Sequence, residues 1–186
     1  MKGIEDILNL VCKNFYENNI DYVIVGGFAA IFYGNPRTTM DLDVVIQISE
    51  NTDIETVVKF FKKNGFFADT GDMIAAFKEH SHCTVEYKET MFRVDIKGVY
   101  NETDKRTIKN KIKTDFHGTT IYLASPEDTI INKLIFAREQ DIKDALGIYA
   151  RQAGKLGENY LEKEAKKRGI YDKFSEIKEK IKIFKF

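Results

Sequence analysis

The sequence predicts an α+β fold that ends in a helical tail. Three observations lead there. Short β-forming runs, YVIV at 22–25 and DLDVVIQI at 41–48, alternate with helical patterns early in the chain. From Ser125 onward apolar residues recur at helical spacing alone. Hydrophobic residues make up 43% of the 186 residues and aromatics 12%, enough to furnish a real core. Against roughly 150 residues per domain, this length fits one domain or a core with a small appendage.

Ile4, Ile7, Leu8, Val11 and Phe15 form one stripe, so the chain opens with an amphipathic helix ending near Asn18 and Asn19. YVIV is a short apolar strand, interrupted by Gly26-Gly27 before FAAIFY, which suits a turn or two of helix. The polar loop Gly34-Asn35-Pro36-Arg37-Thr38-Thr39 leads into the strand DLDVVIQI. Helical spacing returns from Thr52 to Asn64 and is stopped by Gly65. Two strands follow, at 82–87 and 91–96, joined by the polar turn Lys88-Glu89-Thr90. A charged segment after Gly98 precedes another strand at 119–123. Ser125-Pro126-Glu127-Asp128 is an N-cap, a proline at the first helical position and acidic first-turn residues, starting a helix that runs through Ala137. Further helices cover 140–152, 158–168 and 172–184.

Charge narrows the function. Lys plus Arg and Asp plus Glu both number 29, which disfavours a globally basic nucleic-acid binder and an acidic disordered chain, so any phosphate-binding surface must be local. The longest apolar stretch, 22–33, is broken by two glycines and is shorter than the roughly 20 residues of a membrane span. Glu5 and Asp6 stand where a signal peptide needs basic and then apolar residues, and Cys12 and Cys83 are too few for a disulfide framework. A cytoplasmic protein is expected.

The informative segment is VIVGGFAAIFYGNPRTTMDLDVVI. Gly26 and Gly27 let backbone N-H groups approach an anion, and the following helix start adds its positive dipole end. Strand alternation points Asp41 and Asp43 to one face, about 6.5 Å apart along the strand. Their repulsion is about 2.5 kcal/mol at an effective dielectric of 20 and about 0.6 kcal/mol in water, so it does not by itself require a metal. Asp95, between Val94 and Ile96 in another strand, is a third carboxylate that needs a partner if it faces the core. The order glycine pair, RxTxDLD, strand-borne Asp separates this DxD from those of haloacid-dehalogenase-type phosphatases and many glycosyltransferases, in which the motif follows an apolar strand.

Residues 20–97 with these motifs resemble the DNA polymerase β-like nucleotidyltransferase superfamily. SPEDTIINKLIFAREQDIKDA, with Lys133, Ala137, Arg138, Asp141 and Asp144, is similar to the segment after the core in minimal nucleotidyltransferases of the AbiEii/AbiGii toxin type. A serine common in relatives is replaced here by Gly27. The resemblance implies a mixed sheet flanked by helices, with a catalytic core over 1–124 and a helical subdomain over 125–186 packed on it. It also implies two Mg2+ ions, with Mn2+ as a substitute, held by Asp41, Asp43 and Asp95. Asp95 would assist deprotonation, while Gly26, Gly27, Arg37, Thr39 and Lys133 would bind nucleotide. The expected reaction moves a nucleoside monophosphate from an NTP to a hydroxyl of RNA, tRNA above all, or of protein, with an antitoxin partner in the toxin-type setting. A small antibiotic acceptor and a noncatalytic nucleotide-binding module acting through a protein partner are the alternatives.

Blander readings stand beside these. Arg37 alone is equally a solvated loop cation, Lys133 a lysine lying along its helix, the glycine pair a turn, and Arg138, Asp141 and Asp144 a local ion-pair group. His80-x-His82-Cys83 lacks the second cluster of a structural zinc site. KRTIKNKIK, at 105–113, could contact a nucleic-acid backbone or form a solvated helix face. Phe174, Ile177, Ile181 and Phe184 make a stripe for the core or for a second subunit in a homodimer.

Overall fold

The computed structural model describes residues 3–34, 36–47 and 54–184, with side chains through Lys182. The expected helix start at Thr52, the strand end at Ile48, the loop residue Asn35 and the side chain of Phe184 lie outside the described residues.

Helix α1 (Ile4–Glu17) forms because its apolar stripe, Ile7, Leu8, Val11, Cys12 and Phe15, is wholly buried, and the Asp6 carboxylate accepts from the Gly3 N-H at its start. Strand β1 (Tyr22–Ile24) is buried throughout, and helix α2 (Gly26–Tyr33) starts at the glycine pair rather than after it. Then come β2 (Asp41–Ile46), α3 (Ile54–Lys63), β3 (Phe66–Phe67) and α4 (Thr70–Lys78). Strands β4 (His82–Tyr87) and β5 (Arg93–Gly98) follow, then α5 (Glu102–Lys109) and the hairpin β6 (Ile112–Phe116) and β7 (Thr119–Leu123). The tail is α6 (Pro126–Phe136), α7 (Glu139–Arg151), α8 (Glu158–Lys167) and α9 (Tyr171–Phe184). None of the described helices is long and apolar enough to cross a membrane.

Among the described residues seven strands form one sheet in the order β3-β4-β5-β2-β1-β7-β6. The pairs β1 with β7 and β2 with β5 are parallel and the others antiparallel, so the sheet is mixed and the chain is α+β. Four elements were not separately assigned from sequence. Strand β3 has only two residues, and α4 and α5 are short helices fixed by their caps. The Asp69 carboxylate accepts from the N-H groups of Gly71 and Asp72, and the Asn101 side chain accepts from those of Thr103 and Asp104. Strand β6 is a lysine-bearing, mostly exposed edge strand, a composition that blunts edge pairing and hides the strand from a hydrophobic count.

The chain divides into two compact units, Met1–Phe28 with Thr38–Ala124, and Ala29–Arg37 with Ser125–Phe186. The first holds the whole sheet. Phe15 meets Tyr22 and Phe61 with ring centroids 5.5 and 6.4 Å apart, and Phe61 meets Phe66 at 5.1 Å, an edge-on aromatic row that fixes α1 and α3 against the sheet. The second unit is helical. The Ser125 hydroxyl caps α6 through the Asp128 N-H, and Gln152 donates to the Tyr33 carbonyl at 2.9 Å, tying the end of α2 to α7. Phe174, Ile177 and Ile181 are buried on α9, with Phe174 edge-on to Tyr149.

Candidate active site

Strand pairing assembles the acidic face. In the parallel β2–β5 pair, Asp43 stands opposite Asp95 and Asp41 opposite Arg93. Side chains in register on neighbouring strands share a face, and the intervening Leu42, Val44, Val94 and Ile96 are fully buried on the other. Asp41, Asp43 and Asp95 are half-buried together on the first face.

Gly26 is fixed here by space as well as by conformation. Its φ is +63°, and a Cβ on it would lie 1.9 Å from Asp43 Oδ2 and 2.5 Å from Cγ, so only glycine fits. The Gly27 N-H donates a long hydrogen bond of 3.4 Å to Asp43 Oδ2, and the Val25 N-H donates to the Asp43 carbonyl at 3.0 Å. The glycine pair therefore sets the start of α2, with its positive dipole end, directly against the second carboxylate of the DxD. Thr39 turns the chain into β2: its hydroxyl donates to the Asp41 carbonyl at 3.2 Å and accepts from the Asp41 N-H at 3.4 Å.

Two neighbours of the aspartates were not singled out from sequence. The Arg93 guanidinium donates from Nε to Asp41 Oδ1 at 2.6 Å, and that hydrogen bond pushes its pKa further up. The Thr84 hydroxyl donates to Asp95 Oδ1 at 2.6 Å from the adjoining strand. Arg93 was legible, being two residues before Asp95 and so on its face. Thr84 was not, because only the β4–β5 register puts it opposite Asp95.

Three carboxylates on one face supply the hard oxygens that a divalent cation prefers, so the donor chemistry fits Mg2+ or Mn2+. Each carboxylate is engaged by a protein donor, namely Arg93, the Gly27 amide or Thr84. Among the described residues no group of three or more His, Cys, Asp or Glu side chains is gathered in the geometry of a metal cage. On β4, His82 is exposed and Cys83 buried, so their donor atoms point to opposite faces.

Arg37 and Lys133 belong to the second unit, where they enter a buried ionic cluster. Arg37 grips Asp144 with its fork, Nε to Oδ1 at 3.0 Å and Nη2 to Oδ2 at 3.1 Å. The Lys133 ammonium is 2.8 Å from Asp141 and 2.9 Å from Asp144, with its side chain only 9% exposed. Arg138 and Gln140 complete the group, donating to Asp141 at 2.7 Å and Asp144 at 2.8 Å. Burial pushes both carboxyls up, but the hydrogen bonds outweigh it. Arg138 and Lys133 hold Asp141 below the usual carboxylate range, and Arg37, Lys133 and Gln140 do so for Asp144. Lys133 thus pairs with two carboxylates inside the protein, and the local ion-pair reading of Arg138 with Asp141 describes what is seen.

The basic stretch at 105–113 does not form one helix face. It is divided between α5, the linking residues Asn110 and Lys111, and β6, with Lys105 paired to Glu102, Lys111 to Asp21 and Lys113 set over the Tyr16 ring.

The fold is the one seen in solved nucleotidyltransferases. An antigenic nucleotidyltransferase-like protein from Paracoccidioides brasiliensis superposes with a TM-score of 0.56 at 16% identity, over 94% of this chain and 92% of that one. ANT(2″)-Ia bound to adenylyl-2″-tobramycin gives 0.58 at 12% identity, over 91% and 96%. The lincosamide antibiotic adenylyltransferase LnuA, with lincomycin bound, gives 0.54 at 15% identity, over 77% and 95%. Likeness at these identities establishes the fold. The chain belongs to the family DUF6036, described as nucleotidyltransferase of unknown function, which it matches over residues 3–180. None of the curated proteins matches it.

Proposed function

We propose that this protein transfers a nucleoside monophosphate from an NTP to a hydroxyl acceptor on the face formed by Asp41, Asp43 and Asp95. The observation that carries this reading is the in-register pairing of Asp43 with Asp95 beside a helix start at which only glycine fits. Gly26 admits the Asp43 carboxylate against that helix start, whose dipole end would add its positive field to that of the ions beside the triphosphate. Asp41, Asp43 and Asp95 would hold divalent ions, Mg2+ or Mn2+, whose charge would offset that of the phosphates and lower the pKa of the acceptor hydroxyl. Asp95, oriented by Thr84, takes the acceptor proton as the acceptor oxygen bonds to the α-phosphorus and the bond to pyrophosphate breaks.

The dispersal of the basic stretch, together with the antibiotic products and ligands held by proteins of the same fold, favours a small hydroxyl-bearing acceptor over tRNA. The test is incubation with each labelled NTP, Mg2+ or Mn2+, and three acceptor pools: aminoglycoside- and lincosamide-type alcohols, total RNA, and cell protein. Label is expected in the small-molecule pool, and Asp43→Asn should lower transfer by about 10²–10³-fold with the fold intact. Full activity in Asp43→Asn removes the site assignment, and label in RNA alone replaces the acceptor.

A further inference from the structure

On the acidic face, Arg93 is the basic residue in register with the DxD. It lies between Asp41 of β2 and Glu86 of β4, both opposite it across the sheet, and two residues from Asp95. Its guanidinium is bonded to Asp41 at 2.6 Å, with the two side chains 47% and 33% exposed. Two features make that bond exchangeable. An ion pair so open to water contributes little, and Glu86 offers the guanidinium a second carboxylate on the same face.

Resting on the proposed metal-holding role of the acidic face, we infer that Arg93 is a positioning residue that occupies Asp41 as an internal counter-ion and must release it before a divalent cation binds there. In the ion-free chain Arg93 keeps Asp41 aligned and moderates repulsion among Asp41, Asp43 and Asp95. When the cation takes Asp41, the guanidinium turns to Glu86. Binding of the ion is therefore weaker than three carboxylates alone would give, by the cost of breaking one exposed pair.

Mn2+ titrations without nucleotide, followed by the electron paramagnetic resonance signal of free Mn2+, test this on the full chain. The variants are Arg93→Gln, Asp41→Asn, their double combination and Lys97→Gln, with circular dichroism reporting the fold of each. Lys97 lies on the same strand face, pairs with Asp104 at 2.8 Å, and controls for loss of one positive charge. Arg93→Gln should bind Mn2+ roughly two- to fivefold more tightly, the exchange equivalent of an exposed ion pair. The gain should vanish in the Asp41→Asn background and be missing from Lys97→Gln. Unchanged affinity in Arg93→Gln overturns the inference, as does an equal gain in the Asp41→Asn background or in Lys97→Gln. If Asp41→Asn binds Mn2+ as the parent does, or if no variant binds it, the metal-holding reading falls and this inference falls with it. Weakened binding in Asp41→Asn with no gain in Arg93→Gln removes the role of Arg93 alone.

Discussion

Replacing Gly26 by alanine tests the site through a single methyl group. The φ of +63° costs an L-residue about 1–2 kcal/mol. The methyl would also meet Asp43 Oδ2 at 1.9 Å and its Cβ at 3.0 Å, so the carboxylate must swing away or β2 must shift, an overpacking cost of about 1–3 kcal/mol. Together these predict a loss of about 2–5 kcal/mol, which in a chain of this size lowers Tm by roughly 5–15 °C. Gly118→Ala separates the two contributions. Gly118 has φ +82° and nothing within 4 Å of the added Cβ, so it carries the conformational cost alone, about 1–2 kcal/mol. Thermal unfolding of both variants by circular dichroism, with transfer assays at a temperature where both remain folded, gives the comparison. Gly26→Ala should lose more stability than Gly118→Ala and, because Asp43 is displaced, about 10²-fold in activity that Gly118→Ala keeps. Equal Tm shifts in the two variants, or undiminished transfer by Gly26→Ala, would refute the argument that the glycine is there to admit Asp43.

The buried cluster of the second unit gives two more predictions. Lys133→Met leaves Asp141 and Asp144 short of one shared cation and should cost about 3–5 kcal/mol in urea unfolding; a loss under 1 kcal/mol would show that Arg37, Arg138 and Gln140 suffice. The pH dependence follows from the sign of the shifts. Both carboxyls titrate lower in the folded chain than their ordinary value of about 3.9, so their contribution is complete above roughly pH 5 and is lost as pH falls through the folded values. Urea midpoints should therefore fall between pH 5 and pH 3, less steeply in Lys133→Met; a parent midpoint that rises on acidification would contradict the cluster.

Much of this was readable in advance because it depends on near neighbours in sequence. The glycine pair, the alternation of Asp41 with Asp43, the Ser125 cap and the apolar stripes of α1 and α9 are local facts, and each has its expected structural counterpart. The nucleotidyltransferase class was reached through the resemblance carried by residues 20–97, and the family match agrees with it, whereas the toxin-type kinship has no such support. Strands β3 and β6 and helices α4 and α5 were not legible, being too short, too charged or too dependent on their caps for periodicity to reveal.

What the sequence alone determined is which groups exist and which way each points within its own element: three aspartates on strands, a glycine turn, and a lysine followed by an arginine and two aspartates on the next helical segment. Tertiary structure decided who faces whom. That Asp95 stands opposite Asp43, that Arg93 holds Asp41, and that Lys133 closes on Asp141 and Asp144 follow from strand register and helix packing. Those are cooperative choices of the whole chain, in which moving one strand by a single residue would turn every one of its side chains to the other face.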